Sequence, residues 1–495
     1  MKVLLISPPG SDIFAKTGAQ LPPLGLAYLA AVARQDGHPV EILDMSVEAV
    51  WLNTEYFHRF DVVGITVDTP RYFMAVNIAK IAKKAGVYVV MGGYHATFMD
   101  KEVLETGVVD FVVRGEGEEI FSRLLAALEH GTLSKDLSKI DGISYLKNGK
   151  YTRNKTAPLP SDIESFPLPA RDLLKLDFYD NRLNEIPFAN LITSRGCPFD
   201  CFFCSSTRFG GRKWRYRSAK SIVDEMEILY HQYGYRAFAF MDDNFTISKQ
   251  RIMDFADELE ARNMTDIIWW CFSRVDILVA HEDMIKRMAE VGAYMIFVGF
   301  ESANDKMLDD YGKNISLEQQ LKAVQLLRKY GIKIHGSFIM GNVHENEDEI
   351  NKTMDLAFKI NPESLQLSII TPFPGTRLYE QMVKENRILH KNWSLYDGFH
   401  AIIRSDYLQP KTIEKILFKN YKRFYLRPGR VFNHSSTKNA VGQYNPYKKK
   451  RITLGRIFRP FVFYKVIRRQ IKNGDTEKSI AQNHRSNSHL AKHEA

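Results

Sequence analysis

Three of the four cysteines in the chain, Cys197, Cys201 and Cys204, fall within the stretch SRGCPFDCFFC, Ser194 to Cys204. Few cysteines and no secretory signal point to a reducing cytoplasm, where clustered thiols act as metal ligands or catalytic groups rather than disulfides. A structural zinc site is the plainest metal reading, but such sites take four ligands, commonly as two spaced Cys/His pairs. Here the loop offers three cysteines and no nearby histidine. Cys271 lies in IIWWCFSR, an expected strand, where a buried inert thiol is the default. Three thiolates without a fourth suit a four-iron four-sulfur cluster with one iron open to a substrate or cofactor. Phe199, Phe202 and Phe203 would keep solvent off such a cluster and tune its potential.

The elements that must position this loop read as a barrel. Strand candidates at 189–194, RAFAFM, IIWWCF, AYMIFVGF, IKIHGSFIM and SLQLSII alternate with helix candidates such as SAKSIVDEMEILYHQYG and SLEQQLKAVQLLRKYG. Six β/α repeats place function at the carboxyl ends of parallel strands. Those ends carry Asp242, Asp243, Arg274 and Glu301. Each has an ordinary reading as a capping or salt-bridging residue. Gathered at one rim, carboxylates suit an ammonium and a guanidinium fork suits a carboxylate.

The spacing C-x-x-x-C-x-x-C after a strand, with Phe203 before the last cysteine, resembles the signature of the radical SAM superfamily. The resemblance implies a partial (β/α)6 barrel over 189–400 and a 4Fe-4S cluster on Cys197, Cys201 and Cys204. The open iron would chelate S-adenosyl-L-methionine (SAM), and reductive cleavage of its sulfonium bond would give a 5′-deoxyadenosyl radical. It also implies Asp242 and Asp243 near the methionine amino group, Arg274 near the SAM carboxylate and Glu301 at the ribose. The implied partner is an electron donor such as ferredoxin or flavodoxin.

Ahead of the barrel, residues 1–150 alternate apolar runs (KVLLIS, PVEILDM, DVVGITV, VYVVMGG, VDFVVRGEG) with helix candidates such as LGLAYLAAVARQDG. That pattern predicts a doubly wound, Rossmann-like parallel sheet covered on both faces. Its strand ends carry Pro9 and Gly10, Thr66, Gly92, Gly93 and His95, and Gly115 and Glu116. Any one glycine there makes a turn; together they favour a ligand site. No G-x-G-x-x-G follows the first strand, which marks down a dinucleotide. The pieces PPLGLAYLAAVARQDGHPVEILDM, VGITVDTP, GGYHATF and VVRGEGEEIF resemble the cobalamin-binding domain in front of many radical SAM enzymes. The resemblance implies cobalamin contacts at Pro9, Gly10, Thr66, Gly92, Gly93, His95, Gly115 and Glu116. The cobalt-ligating D-x-H-x-x-G of many cobalamin proteins is incomplete: Asp36-Gly37-His38 begins it, but Glu41 stands in the glycine's place. It also follows the first helix, so it reads as a turn.

Residues 151–188 are proline-punctuated and read as a linker, 401–436 as a C-terminal helical segment and 437–495 as a basic, partly disordered tail. The tail carries fourteen Lys and Arg against three Asp and Glu, so the net charge of +10 resides there and the body is near neutral. Nucleic acid is therefore not an expected partner. No apolar run approaches the ~20 residues of a membrane span. Basic residues interleaved with Phe, Ile, Val and Tyr after 447 predict peripheral contact with an anionic membrane at the inner face, or a helix packed on the barrel with its charges solvated.

The fold class is thus α/β, a cobalamin-binding domain followed by a partial barrel. The cofactor set, cluster, SAM and cobalamin, implies a cytoplasmic enzyme that modifies an unactivated carbon of a hydrophobic small-molecule or lipid substrate. C-methylation of a lipid or isoprenoid leads; ring closure or oxidation of a lipid or tetrapyrrole, as in anaerobic cyclase-like relatives, is the alternative. A degenerate module that binds cobalamin or membrane without catalysis is opposed by the intact triad. Auxiliary clusters would need more cysteines, and only Cys271 remains.

Overall fold

The computed structural model of the protein describes residues 1–10, 20–132 and 136–427. The first sheet is built from β1 (Val3–Ser7), β2 (Val40–Asp44), β3 (Val62–Thr66), β4 (Tyr88–Gly92) and β5 (Phe111–Val113). β6 (Ile143–Lys147) and β7 (Lys150–Arg153) complete it, in the order β2-β1-β3-β4-β5-β6-β7. The first five strands are parallel, as their continuous apolar runs predict, and two helix layers cover the faces. β1 pairs with both β2 and β3, so the strand order reverses beside β1 and opens a crevice at the carboxyl ends.

The sequence reading lacked β6 and β7. They form an antiparallel hairpin across Asn148 and Gly149, both at positive φ. Asn-Gly between strand-like runs is the strongest short hairpin signal, so it was available in LKNGKYTR. The sheet therefore runs on to Arg153, past the boundary read at 150.

The second sheet is the barrel. β8 (Arg182–Leu183) and β9 (Ile186–Leu191) precede the cysteine loop. The loop passes through a short clip of β10 (Ser194–Arg195) on β11 (Arg215–Tyr216). Then come β12 (Ala237–Phe240), β13 (Ile268–Ser273), β14 (Ala293–Glu301), β15 (Lys333–Met340) and β16 (Ser364–Ile369). The order is β16-β15-β14-β13-β12-β9-β8, with β9 and β12 to β16 all parallel. All six expected strands are present within a few residues of their predicted bounds. Several intervening helices start at residues that satisfy orphan N–H groups: Ser316 with Gln319 and Asn346 with Glu349 form capping boxes.

The edge strand β16 is covered rather than left bare. Helix Pro410–Tyr425 lays Tyr421 and Tyr425 on it, and each hydroxyl accepts from and donates to one residue, Leu367 and Leu365 respectively, at 2.8–2.9 Å. Trp393 and Tyr396, in the segment before that helix, pack into the core of the first sheet, and Trp393 Nε1 donates to Glu102 at 2.6 Å. The two sheets are thereby tied together from the carboxyl side of the chain as well. The basic tail and its expected membrane contact lie outside the described residues.

Candidate active site

The cysteine loop is pinned through its backbone. Gly196 has φ +79°, and a Cβ there would sit 2.6 Å from the Lys213 carbonyl oxygen, so the close approach requires glycine. Cys197 N donates to Gly211 O at 3.2 Å, Phe202 N to Tyr311 O at 3.0 Å and Arg377 Nη2 to Asp200 O at 2.5 Å. Phe203 packs edge-on against Tyr311 at 5.3 Å. The three triad thiols are half-buried, whereas Cys271 is fully buried on the helix side of β13. Burial pushes the Cys197 thiol up to about 11 and raises Cys204 as well, and the neighbouring thiols and Asp243 add to this. Such thiols ionise only when a metal takes the place of the proton. Among the described residues no three His, Cys, Asp or Glu side chains converge on the position of a single ion. Three soft donors from one loop with no fourth fit a cluster with an open iron.

The two carboxylates at the end of β12 part company. Asp242 is buried and accepts from Thr193 N at 2.6 Å, Thr193 Oγ1 at 2.5 Å and Ser194 Oγ at 2.6 Å. Its lone pairs are committed to holding the strand that leads into the cysteines. Asp243 faces the cleft described below. Burial raises its carboxyl, and Asp242 and Glu116 push the same way. A cation arriving there relieves both penalties.

Arg274 is committed as well. Its guanidinium bonds Asp276 at 3.0 Å and Lys313 O at 3.1 Å, lies 3.4 Å from Cys201 Sγ and covers the Phe199 ring at 3.8 Å. It braces the cluster loop against β13, and its fork is already filled, which a bidentate pair with a SAM carboxylate would contest. Glu301 has φ +65° and pairs with buried Lys313 at 2.8 Å. Lys313 was not read from the sequence; it stands in a loop twelve residues beyond Glu301, and only the fold returns it. Burial alone would push its ammonium down, and Glu301 together with Cys201 more than offsets this.

A cleft of about 1240 Å³, its open mouth included, lies between the carboxyl ends of the first sheet and the barrel mouth. Thr66, Gly92, Gly93, Gly115 and Glu116 line its front side, and Arg195, Phe209 and Asp243 its barrel side. Gly93 has φ +93°, and a Cβ would meet Val67 O at 3.0 Å, so the chain turns here only with glycine. Leu5, Leu26, Leu29, Gly64 and Phe121 of the first domain also line it. Tyr94 stacks on Phe209 at 4.2 Å across the junction. Glu116 is held by Arg195 and Arg215, so its carboxylate joins the domains at the cleft wall.

Three expected contacts lie off this lining. Pro9 and Gly10 follow β1 without reaching it. His95 is buried, 3.3 Å from Thr69 Oγ1 and packed between Tyr72 and Trp393, because the helical turn after Gly93 turns its ring into the core. It serves as a loop-tying histidine rather than a corrin neighbour. Asp36-Gly37-His38 is the turn that the sequence predicts, with Gly37 at φ +88°. His38 lies beside Met1 and Glu129 at the opposite end of the sheet from the cleft.

Residues 191–357 match the model of the radical SAM superfamily, and residues 10–125 match that of the B12 binding domain. An uncharacterized methyltransferase of Pyrococcus horikoshii is 38% identical over 86% of this chain and 93% of its own length. The chain belongs to the cobalamin-binding radical SAM enzymes. The anaerobic magnesium-protoporphyrin IX monomethyl ester cyclase of Rubrivivax gelatinosus is 29% identical over 86% of this chain and 78% of its own. The solved structure of the radical SAM methyltransferase TsrM from Kitasatospora setae, with cobalamin and a [4Fe-4S] cluster bound, superposes with a TM-score of 0.64. It covers 78% of both chains at 20% identity, a likeness of fold.

The cofactors of this radical SAM enzyme are therefore a 4Fe-4S cluster, SAM and cobalamin. The geometry fits them. The cysteine triad would hold the cluster, Asp243 faces the space beside it, and the glycine-lined strand ends would carry the corrin. Among the described residues no helix is long and apolar enough to cross a membrane.

Proposed function

We propose that this enzyme transfers a methyl group to an unactivated carbon of a hydrophobic small molecule of the lipid or isoprenoid class. One observation carries the reading: the glycine-lined strand ends and Asp243 beside the cysteine loop open onto a single cleft. When bound, cobalamin supplies a transferable methyl group, and the cluster with SAM supplies a radical that removes hydrogen. The chain's own part is placement. Asp243 would hold the SAM ammonium, and Arg274 and Arg377 fix the cluster loop from either side. Phe199, Phe202 and Phe203 exclude water. The methyltransferase name of the Pyrococcus horikoshii relative supports transfer. The Rubrivivax gelatinosus relative favours a second reading, ring closure or oxidation of a lipid or tetrapyrrole. A ferredoxin or flavodoxin would deliver the electron.

The test uses the reconstituted full chain, SAM bearing a CD3 methyl group, and a metabolite extract from a deletion strain. Transfer is expected to give a product carrying one CD3 group. A product that has lost hydrogen and gained no label would replace transfer with the cyclase-like reading.

A further inference from the structure

The three triad sulfurs meet different donors. Backbone N–H groups of Phe199 and Ser206 hydrogen-bond Cys197 and Cys204. Cys201 meets a guanidinium instead: Arg274 Nη1 donates to its Sγ at 3.4 Å. Among the described residues, Arg274 is the one charged side chain within hydrogen-bonding distance of a triad sulfur.

Local structure sets this aim. β13 ends at Ser273, and Arg274 is extended, at φ −107° and ψ 151°, before the helical turn Val275–Ala280. Asp276, two residues on, accepts from Nε at 3.0 Å and from Nη2 at 3.1 Å. Nη2 also donates to Lys313 O at 3.1 Å. A carboxylate seated on that edge fixes the plane of the fork and leaves Nη1 directed at the sulfur. The charges do not cancel at Cys201. The Arg274 side chain is 9% exposed and covers the Phe199 ring at 3.8 Å, whereas that of Asp276 is 31% exposed, so water screens the carboxylate more than the guanidinium. The other buried cation nearby, Lys313, is paired with Glu301 at 2.8 Å.

We infer that Arg274 is a positioning residue that sets the reduction potential of the 4Fe-4S cluster through Cys201. One-electron reduction adds negative charge that is shared with the ligand sulfurs. A fixed cation and a charge-assisted N–H···S bond favour the reduced state, so Arg274 raises the potential and Asp276 opposes it. One electron enters from the ferredoxin- or flavodoxin-type donor and one leaves to the sulfonium of SAM. Arg274 therefore eases the first transfer and takes driving force from the second.

A redox titration of the full chain, with its cluster reconstituted and cobalamin bound, tests this by following the electron paramagnetic resonance signal of the reduced cluster. No SAM is added, so a contact between Arg274 and SAM cannot contribute. Arg274→Gln is expected to move the midpoint potential negative by about tenfold in the reduction equilibrium, about 59 mV for one electron. Arg274→Lys keeps the charge and is expected to recover about half of that shift. Asp276→Asn keeps an acceptor for Nε and removes the opposing charge, so it is expected to move the potential positive. Loosened packing of the cluster loop would instead move all three variants alike. Each variant is compared at the iron content of the parent. An unchanged potential in Arg274→Gln, an Arg274→Lys as negative as Arg274→Gln, or anything but a positive shift in Asp276→Asn overturns the proposal. Should Arg274→Gln lose iron, the sign of the shift in Asp276→Asn decides alone. Neither substrate nor methyl transfer enters the measurement, so a failed CD3 transfer would leave this inference standing.

Discussion

Arg215 of the barrel donates to Glu116 of the first domain at 2.9 and 2.5 Å, and both side chains are almost wholly buried. Arg195 reaches the same carboxylate at 3.1 Å and Glu118 at 2.7 Å. Glu116 sits on the wall of the cleft, so the ion pairs that join the domains also shape the cofactor site. Breaking a buried pair leaves an uncompensated charge, which costs about 3–5 kcal/mol. Arg195 still faces Glu116 in Arg215→Met, so this variant is expected to lose stability by less than that, in denaturant unfolding, and to retain less cobalamin. The double variant Glu116→Leu with Arg215→Met is expected to recover part of the stability, since no buried charge is left alone. A single variant as stable as the parent would remove the pair from this role.

Asp242 and Asp243 are adjacent in sequence and opposite in duty. Asp242→Asn removes an acceptor from three buried donors, at about 1–3 kcal/mol for the group left unsatisfied. Asp243→Asn is expected to leave the melting temperature nearly unchanged and to weaken SAM binding. Calorimetric unfolding and SAM titration on the same two proteins separate the effects. The reverse pattern would place the SAM amine at Asp242.

Cys197, Cys201 and Cys204 are each expected to be required for iron. Alanine at any one should remove most bound iron after anaerobic reconstitution. Cys271→Ala should leave iron content nearly unchanged, because that thiol is buried among helix-side residues of β13 and its burial raises it well above the ordinary thiol range. Iron loss in Cys271→Ala would indicate a four-cysteine site and close the open iron.

The six barrel strands were legible because each is a short β-branched or aromatic run between long amphipathic helices, a pattern set by local physics. The cysteine triad was legible because its ligands are neighbours in sequence. The direction of the β12 carboxylates was partly legible: Phe238 and Phe240 are core-facing, so alternation turns Asp242 outward and Asp243 inward. Lys313, and the commitment of Arg274 to Asp276 and Cys201, were not legible, because partners chosen across loops leave no periodic trace. His95 follows a glycine turn whose positive φ sets the direction of its ring, and no pattern in GGYHATF reports that angle.

His95 gives a pH prediction. Burial pushes its imidazole down to about 3 from an ordinary 6.5. Between those values the unfolded chain binds more protons, so stability rises with pH across that window. It is full above 6.5 and is lost as pH falls toward 3, by up to about 1.4 kcal/mol per pH unit. His95→Phe keeps a ring between Tyr72 and Trp393 and is expected to flatten this slope by one proton's worth in denaturant unfolding from pH 4 to 7. Parallel slopes for the two proteins would mean that His95 titrates alike in the folded and the unfolded chain.

Membrane contact through the tail would bear on where the substrate is met. Residues 437–495 carry a net charge of +11 on a near-neutral body. Each Lys or Arg near an anionic membrane surface contributes about 1 kcal/mol, so five or more would hold the protein there without a span. Added salt should weaken the attraction as the screening length shortens from ~10 Å at 0.1 M to ~3 Å at 1 M. Phe458, Phe461 and Phe463 would add apolar insertion that resists salt. The full chain is therefore expected to sediment with anionic vesicles and much less with neutral ones, and a chain ending at residue 436 to sediment with neither. Equal sedimentation of the two chains with anionic vesicles would remove the tail from membrane contact, and with it the main support for a substrate drawn from the lipid phase.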